Sequence, residues 1–542
     1  MTAERRRAFV AHTATTRASF LASLGDGAAL RDAAFRRLIA RNADTAFGRE
    51  HGFSRLRSFA DFRAAVPIRG YDHFAAWIER LARGERRVLT EAPPTYFART
   101  SGTTGAGKRI PWTEDGLLDW RPRLRAVMWG TILERFPTLM EGPGRVLDLS
   151  MDRRAPTEHL AGVPLQSMAQ RPWLGPRDWT PPWNEAPWLN PPDALQDHEV
   201  RTYYRLRQAV REDLQAIVTL NPSTALVFAR ALATHAERLA ADLAAGTIDG
   251  LPSLPVDRAR ADRLAALARA GDLRPRTWWP SLRVLVAWKA ASAALYQEQL
   301  AEAFGVPVTP SLHAASEGLI SVPVDDDPLA ALLARSPDAW FEFVPSGVED
   351  LGGASTLDSA SLTVGDAYSL VVTQVNGLYR YDLGDVFRVT GFVGETPRLV
   401  FVGRRGSTSS FTGEKLTDVQ VVASFEDAVR RTRSRVRAFT CCPVFADPPR
   451  YVFAVEPEDD WGDGAGSALA VALEAALAAH NEEYPAKRAT GRLAPAEVRL
   501  VPAGAFERHW KQRVAAGAAP ATLKLLALQR DDALLGRLLA EG

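Results

Sequence analysis

The sequence has little cysteine, and this limits the chemistry available to it. Only two of the 542 residues are cysteines, and Cys441 and Cys442 are adjacent. Neighbours in an extended segment point to opposite faces, so we expect no disulfide between them. Neither has a partner in a Cys-x-x-Cys spacing, which argues against a zinc site.

The sequence also has no excess of charge of one sign and no long apolar run. Its 66 basic and 64 acidic residues give a net charge of +2, so nothing indicates a nucleic-acid or membrane partner. The charged N-terminal segment lacks the apolar core of a signal peptide, and no run approaches the roughly 20 residues of a membrane span. We predict a cytoplasmic monomer that acts on small molecules.

The chain is too long for one ordinary hydrophobic core, so we expect at least two domains. Apolar residues spaced three and four apart predict helices in several segments: 5–42, 115–136, 195–245 and 289–304. Strand patterns occur at 95–99 and 281–288 and throughout 341–403. Strands and helices alternate after residue 407, which predicts a small α+β domain. We therefore predict an α/β protein with domains at 1–404 and 405–542.

A glycine-rich segment, Thr100 to Arg109, follows the first predicted strand. Its sequence TSGTTGAGKR offers backbone N–H groups, hydroxyls and a lysine that together suit a polyphosphate. It matches most of a Walker A loop, but Arg109 stands where the Mg²⁺-binding Ser or Thr belongs. The segment Ile110–Trp112 also looks extended rather than helical, so we reject a P-loop NTPase. The alternative is a flexible hairpin.

Four further motifs are weak when taken singly. A Ser-Glu pair in His313–Gly318 suits a phosphate and a metal, although a helix N-cap explains the isolated motif better. The segment Tyr379–Asp385 ends in an aspartate at a predicted turn, where the carboxylate can accept hydrogen bonds from a ribose diol. The alternative is that the segment is a plain β-turn with no role in binding. A Gly-Arg segment at 403–406, followed by Lys415, suits a hinge. Lys524 near the C-terminus would ordinarily be a solvated surface residue.

The order of these motifs resembles the adenylate-forming superfamily, which includes acyl-CoA synthetases, luciferases and nonribosomal adenylation domains. Within it, the chain is most similar to the GH3 family of acyl acid–amido synthetases. The segments that carry the resemblance are ARTSGTTGAGKRIPWT, WWPSLRVLVAW, HAASEG and YRYDLGDVFRV. The resemblance extends from about residue 30 to 530. It implies a large N-terminal adenylate-forming domain with mixed β-sheets flanked by helices, and a smaller, mobile α+β C-terminal domain.

The resemblance also implies roles for individual residues, with ATP as cosubstrate and Mg²⁺ as cofactor. Glu317 is expected at the metal, and Lys415 and Lys524 are expected to be catalytic residues from the C-terminal domain. The expected ATP-binding residues are Thr100, Ser101, Gly102, Thr103, Thr104, Gly105, Lys108, His313, Ala314, Ser316, Asp385 and Arg404. Two of them depart from the family: His313 replaces a tyrosine that packs on adenine, and Ala314 replaces a glycine.

The implied reaction converts a carboxylic acid to an acyl-AMP and transfers the acyl group to an amino acid or another amine. One alternative retains the adenylation but uses coenzyme A as the acceptor. Another is a non-enzymatic protein that binds nucleotide or adenylate. The presence of all five motifs argues against this last alternative.

A segment dense in proline and tryptophan, residues 171–192, is predicted to be a loop, because proline at this density excludes regular helix or central strand. Its four tryptophans are Trp173, Trp179, Trp183 and Trp188. They either anchor the loop to the core or line an apolar acyl pocket.

Overall fold

The computed structural model contains helices and mixed sheets throughout the chain. It describes residues 3–100, 108–141, 145–171, 180–195, 197–249, 251–289, 296–325, 331–348, 350–405, 408–409, 411, 414, 416–516, 523, 525–529 and 532–540.

The helices lie mainly at the start of the chain, between the strands of the first half, and in the C-terminal part. They are α1 Ala3–Ala22, α2 Gly27–Arg41, α3 Ala46–Glu50, α4 Phe59–Ala65, α5 Tyr71–Ala82, α6 Arg121–Arg135, α7 His198–Ala209, α8 Pro222–Thr234, α9 Ala236–Ala245, α10 Arg258–Arg269, α11 Pro275–Trp278, α12 Gln297–Phe304, α13 Asp418–Thr432, α14 Ala465–His480, α15 Tyr484–Ala489, α16 Ala505–Ala515 and α17 Ala533–Ala540.

The strands form several sheets of different character. They are β1 Tyr96–Arg99, β2 Arg109–Trp112, β3 Val146–Asp148, β4 His159–Leu160, β5 Val163–Gln166, β6 Ala216–Val218, β7 Thr247–Ile248, β8 Leu251–Pro252, β9 Val284–Ala287, β10 Val308–Pro310, β11 His313–Ala314, β12 Leu319–Val322, β13 Ala331–Leu333, β14 Ala339–Pro345, β15 Ala367–Gln374, β16 Tyr381–Val393, β17 Thr396–Arg404, β18 Thr408–Ser409, β19 Leu416–Thr417, β20 Val436–Val444, β21 Arg450–Pro457 and β22 Glu497–Leu500.

A parallel sheet in the order β10-β9-β6-β3 is built from strands between residues 146 and 310. All residues of β9 and β6 are buried, as their short apolar runs require in a sheet covered on both faces. Helices α7, α8 and α12 belong to the crossovers between successive strands. This arrangement confirms the predicted α/β class.

A seven-stranded antiparallel sheet, in the order β11-β12-β13-β17-β16-β15-β14, packs into the same hydrophobic core. A third sheet, β2-β1-β5-β4, carries the glycine-rich loop between β1 and β2. At the N-terminal end, α1 packs on α6 at Gly130, where a Cβ would meet the backbone of Thr13. Glycine therefore permits the close approach of these two helices.

The C-terminal part has its own sheet, β20-β21-β22, with α13 and α14 packed together. Its buried residues form clusters separate from the main core. Cys441 belongs to one of these clusters and Cys442 to the other, and neither forms a disulfide, as the alternation of a strand predicts. Within the described residues, no helix combines the length and apolar character that a membrane span requires.

The sequence prediction was wrong between residues 195 and 245, where a strand interrupts the expected helical region. Strand β6 is only three residues long, and so short an apolar run cannot be distinguished from a buried helical turn by its period. The predicted helix at 289–304 is described only from Gln297 onward. It ends at Phe304, before Gly305 with φ of 63°, which fits the predicted stop at a left-handed glycine.

Candidate functional site

The carboxyl ends of the four parallel strands form one edge, where ligands bind in open α/β sheets. Asn221 and Trp288 follow β6 and β9 at this edge, and His313 follows β10. Backbone hydrogen bonds join the segments that follow these strands. The Trp288 amide donates to the Leu220 carbonyl (3.2 Å), and the Ser311 amide donates to the Ala287 carbonyl (2.9 Å). This edge brings together residues far apart in sequence.

The base of the glycine-rich loop is closed by Thr100 and Lys108. The Thr100 amide donates to the carbonyl of Lys108 (2.9 Å), and the Lys108 amide donates to Oγ1 of Thr100 (3.0 Å). The tip of the loop, with Ser101, Gly102, Thr103, Thr104 and Gly105, lies outside the described residues. The closed base fixes where the loop leaves and rejoins the sheet.

The Ser316–Glu317 pair lies in a tight turn between β11 and β12, rather than at the helix N-cap that was the alternative. The Trp112 indole N–H donates to the carbonyl of Ser316 (3.0 Å), and the Gln374 amide donates to that of Glu317 (2.6 Å). The next residue, Gly318, lies against Gln374 and Trp120, where a Cβ would not fit. The turn is thus held from both sides.

The Glu317 carboxylate faces a lysine and a tyrosine. Lys108 Nζ lies 3.9 Å from Glu317 Oε1, and the Tyr381 hydroxyl donates to the same oxygen at 3.4 Å. Burial, and then the nearby Glu317 charge, raise the pKa of Tyr381 well above its usual value, so this hydroxyl stays protonated. A single carboxylate fits Mg²⁺, which is usually bound by one or two carboxylates together with substrate phosphates. Groups of three potential metal ligands are absent from the described part of the chain.

His313 and Asp385 meet beside this turn. Nε2 of His313 lies 3.5 Å from Oδ2 of Asp385, and both side chains are buried. The His313 ring also contacts Trp288, Phe387 and Phe401, with ring centroids 4.6, 5.0 and 5.1 Å away. These rings line a cavity of 20 Å³, about the space of one water molecule. A purine base that stacks on His313 therefore requires this region to open.

The predicted turn at Asp385 is instead a bulge within a strand. Asp385 belongs to β16, and the register with β15 shifts beside Gly384, whose φ is 77°. Directly across the ladder, Asp385 pairs with Arg404. A bulge re-aims a side chain much as a turn does, so the carboxylate still faces the site. Ala314, in β11, lies one residue beyond His313.

Most of the residues predicted to act at the hinge and in the C-terminal domain lie outside the described part of the chain. Lys415, Lys524 and Gly406 lie outside the described residues, and only the backbone of Arg404 is described. Leu523, which precedes Lys524, accepts a hydrogen bond from the Asn221 side chain through its carbonyl (2.8 Å). This contact brings the C-terminal part to the edge of the parallel sheet.

Sequence reasoning assigned no role to Tyr381, Trp288 or Asn221. Tyr381 lies within the Tyr379–Asp385 segment, so a role for its hydroxyl in the site could have been predicted from the sequence. Asn221 follows a strand too short to be recognised. Trp288 is the last residue of WWPSLRVLVAW, a segment that carries the family resemblance, but the resemblance implied no role for it.

The two described tryptophans of the proline-rich loop anchor it to the core. Trp183 packs against Phe9 and Trp129, with centroids 5.3 and 4.5 Å away. The Trp188 indole donates to the carbonyl of Val146 in β3 (3.2 Å). Over residues 180–192 the loop has only a short 3₁₀ turn, as its prolines predict. Trp173 and Trp179 lie outside the described residues.

Several known amido synthetases are similar to this chain in sequence or in structure. Probable indole-3-acetic acid-amido synthetase GH3.12 of Oryza sativa subsp. japonica is 26% identical, over 92% of this chain and 91% of its own. The corresponding GH3.1 of Arabidopsis thaliana is also 26% identical, over 89% and 85%. The structure of AtGH3.15 acyl acid amido synthetase in complex with 2,4-DB superposes with a TM-score of 0.81 at 20% identity, covering 97% of this chain and 95% of that one.

Three family models match successive parts of the sequence. They are the GH3 family N-terminal domain at residues 17–308, the central domain at 333–404 and the C-terminal domain at 418–533. They include three of the four segments on which the resemblance was based, and the fourth, HAASEG at 313–318, lies between the first two matches. The high TM-score shows that the fold is shared as well. The resemblance is confirmed, and the chain belongs to the GH3 family.

Proposed function

We propose that this protein is an acyl acid–amido synthetase. It adenylates a carboxylic acid with ATP, releasing pyrophosphate, and transfers the acyl group from acyl-AMP to an amino acid or another amine. Membership of the GH3 family and the names of its relatives, which are amido synthetases, support this activity. The same names favour an amine acceptor over coenzyme A.

One observation carries the proposal. Three separate motifs, namely the base of the glycine-rich loop, the Ser316–Glu317 turn and Asp385, converge beside the carboxyl edge of the parallel sheet. Such an edge suits a nucleotide, with phosphates near Lys108 and the ribose near Asp385. An acidic side chain accepts hydrogen bonds from both hydroxyls of a ribose.

The chemistry explains why these groups are needed. A carboxylate is a poor acylating agent, because an amine attacking it would have to expel oxide. Attack of the carboxylate oxygen on the α-phosphorus forms an acyl–phosphate bond and breaks the bond to pyrophosphate, and AMP then leaves readily when an amine attacks. Lys108 and Lys524 neutralise charge that develops on the phosphate oxygens. Mg²⁺ at Glu317 would supply further charge neutralisation there.

We infer that a C-terminal domain starting at residue 405 moves about residues 404–407 between the two half-reactions. Its hydrophobic clusters, which are separate from the main core, support an independent unit. The contact between Asn221 and Leu523 supports an orientation in which Lys524 reaches the site. Cytoplasmic location, Mg²⁺ dependence and a monomeric state remain predictions.

The test is acid-dependent exchange of radiolabelled pyrophosphate into ATP, measured across a panel of carboxylic acids. An acid that supports exchange is then incubated with ATP and either amino acids or coenzyme A, and the product is identified by mass spectrometry. We expect an amide and AMP. A thioester formed in preference to an amide would contradict the acceptor class, and exchange independent of any acid would contradict acid adenylation.

A further inference from the structure

Three arginines, Arg121, Arg125 and Arg171, form no ion pair with an acidic side chain among the described residues. Arg121 and Arg125 are one turn apart on α6, so their side chains share a face of the helix. Arg171 follows the short turn after β5. The charges of Arg125 and Arg171 disfavour the charged form of Arg121, and the charge of Arg125 disfavours that of Arg171.

These arginines have no carboxylate to balance them in the described part of the chain. The Nη1 atoms of Arg121 and Arg171 are shielded from solvent and make no hydrogen bond there. A fourth arginine, Arg153, faces the same group and is bound through neutral oxygens of Asn184 and Asn190. Asp148 interacts electrostatically with Arg153 and also with Arg205.

Such a cluster is costly for the protein alone. Burial, and then the charges of Arg125 and Arg171, lower the pKa of Arg121 to about 9. Burial and the Arg125 charge lower the pKa of Arg171 to about 10. Arginine keeps its proton under ordinary conditions, so these directions express the cost of burying the guanidinium groups and, after it, the repulsion between the cations. A bound anion would convert that repulsion into attraction.

The cluster lies next to the proposed adenylation site. Cζ of Arg121 lies 4.9 Å from the centre of the Trp112 ring, and the indole N–H of the same tryptophan donates to the Ser316 carbonyl. One side chain thus separates the arginines from the turn that would contact the α-phosphate. A ligand spanning this distance would extend from the phosphate into the cluster.

On the basis of the proposed function, we propose that Arg121, Arg125 and Arg171 bind a second anionic group of the acyl acid. The substrate is then a dicarboxylic acid, or a carboxylic acid that carries another permanent anion. The carboxylate that reacts cannot fill this role, because it loses its charge when it forms the acyl-AMP. An anion at the far end of the substrate keeps the cluster neutralised through both half-reactions.

The experiment compares dicarboxylic acids with their monomethyl esters, which have the same skeleton and one carboxylate fewer. In pyrophosphate exchange we expect kcat/KM for the diacid to exceed that for the ester by at least 10-fold. In Arg121→Gln and Arg171→Gln the ratio of kcat/KM for the diacid to that for the ester should fall toward one. The fall should come from a lower kcat/KM for the diacid, while kcat/KM for the ester stays unchanged. Arg121→Lys should retain part of the preference, because it retains the charge.

Arg123→Gln is the matched control, because Arg123 lies on the same helix but pairs with Asp338 (3.0 Å). It should leave the ratio unchanged. Melting temperatures check the folding of each variant, and removal of one repelled cation should not lower them. Binding of diacid and ester is also measured by calorimetry without turnover, so that the subsite is tested even if no exchange occurs.

Equal use or equal binding of diacid and ester by the wild type would overturn the proposal. So would variants that retain normal exchange but need more of the amine, because the cluster would then hold the carboxylate of an amino-acid acceptor. If diacids bind in preference and Arg121→Gln abolishes that preference, the subsite stands whether or not the bound acid is adenylated. Absence of exchange would then count only against the proposed activity.

Discussion

His313 and Asp385 form a buried pair, with Nε2 of the imidazole 3.5 Å from Oδ2 of the carboxylate. His313 belongs to β11, at one edge of the seven-stranded sheet, and Asp385 belongs to β16, which is separated from β11 by three strands in the order of the sheet. The contact links the proposed adenine neighbour to the proposed ribose ligand. A change at either residue is therefore expected to act on nucleotide binding.

Asp385→Asn is predicted to raise KM for ATP by about 10- to 100-fold. Hydrogen bonds to a charged group contribute roughly 1.5–3 kcal/mol, and each 1.4 kcal/mol is tenfold in affinity. Asparagine retains the shape of the side chain, so the buried site should stay packed. The measurement is the ATP dependence of pyrophosphate exchange. Asp366→Asn, at an exposed position, is the control, and an equal effect of both changes would exclude a role in ribose binding.

The base of the glycine-rich loop provides a second prediction. Thr100→Val removes the oxygen that accepts from the Lys108 amide, whereas Thr100→Ser keeps it. One such hydrogen bond contributes about 1 kcal/mol, so Thr100→Val should raise KM for ATP about fivefold and Thr100→Ser should not. Lys108→Ala should have a larger effect on kcat. Unchanged kinetics in both Thr100→Val and Lys108→Ala would separate the loop from the site.

Gly318→Ala tests the geometry of the Ser316–Glu317 turn. A Cβ at this position would lie 3.0 Å from Cη2 of Trp120 and closer still to Gln374 Oε1, so the turn must shift. We expect exchange activity to fall at least 10-fold while the melting temperature changes little, because the turn contributes little apolar burial. Gly25→Ala, which meets no atom within 4 Å, should behave like wild type. Full activity in Gly318→Ala would mean that this turn tolerates displacement.

Trp183 and Trp188 are predicted to stabilise the fold without selecting the acid. Both side chains are nearly fully buried, at 4% and 2% exposure. Truncation of a buried tryptophan to alanine costs roughly 3–5 kcal/mol. Trp183→Phe and Trp188→Phe should therefore lower the melting temperature and leave the ranking of acids in the exchange assay unchanged. A reordered ranking at constant stability would instead make either residue part of the acyl pocket.

The sequence predicted those parts of the molecule that have strong local signals. Glycine and hydroxyl residues marked the loop between β1 and β2, and the helical period marked α6 with the π turn that precedes it. It did not predict β6, because three apolar residues have no measurable period. The sequence predicted a turn where the structure has a bulge at Gly384. Glycine with a positive φ is common in both, so the residue type does not distinguish them.

The spatial relations within the site lay beyond sequence reasoning. Motif order predicted that Glu317, Lys108 and Asp385 share a site, but only the fold reveals the Tyr381 hydroxyl on Glu317. The arginine cluster was missed for the same reason. Arg121 and Arg171 are separated by fifty residues, and arginine is common throughout this sequence. Nothing in a single sequence distinguishes an arginine that lacks a carboxylate partner from one that has it.

Lys524 provides the sharpest test of the two-step mechanism. It directly follows Leu523, whose carbonyl is held by Asn221 at the edge of the parallel sheet. If Lys524 neutralises the phosphate during adenylation, Lys524→Ala should slow acyl-AMP formation by roughly 10²–10³-fold or more. Transfer from chemically supplied acyl-AMP to the amine should proceed near the wild-type rate. The two half-reactions are measured separately, by pyrophosphate exchange and by amide formation.

Lys511→Ala is the matched control, because Lys511 is also a lysine of the C-terminal part that contacts the N-terminal part. It pairs with Glu199 at 2.6 Å, but the two side chains are 47% and 66% exposed. Exposed ion pairs contribute roughly 0–1 kcal/mol, so its loss should barely affect either half-reaction. If Lys524→Ala impaired both half-reactions equally, the lysine would be structural. If Lys511→Ala impaired adenylation alone to the same degree, the effect would come from domain contact rather than from charge on the phosphate.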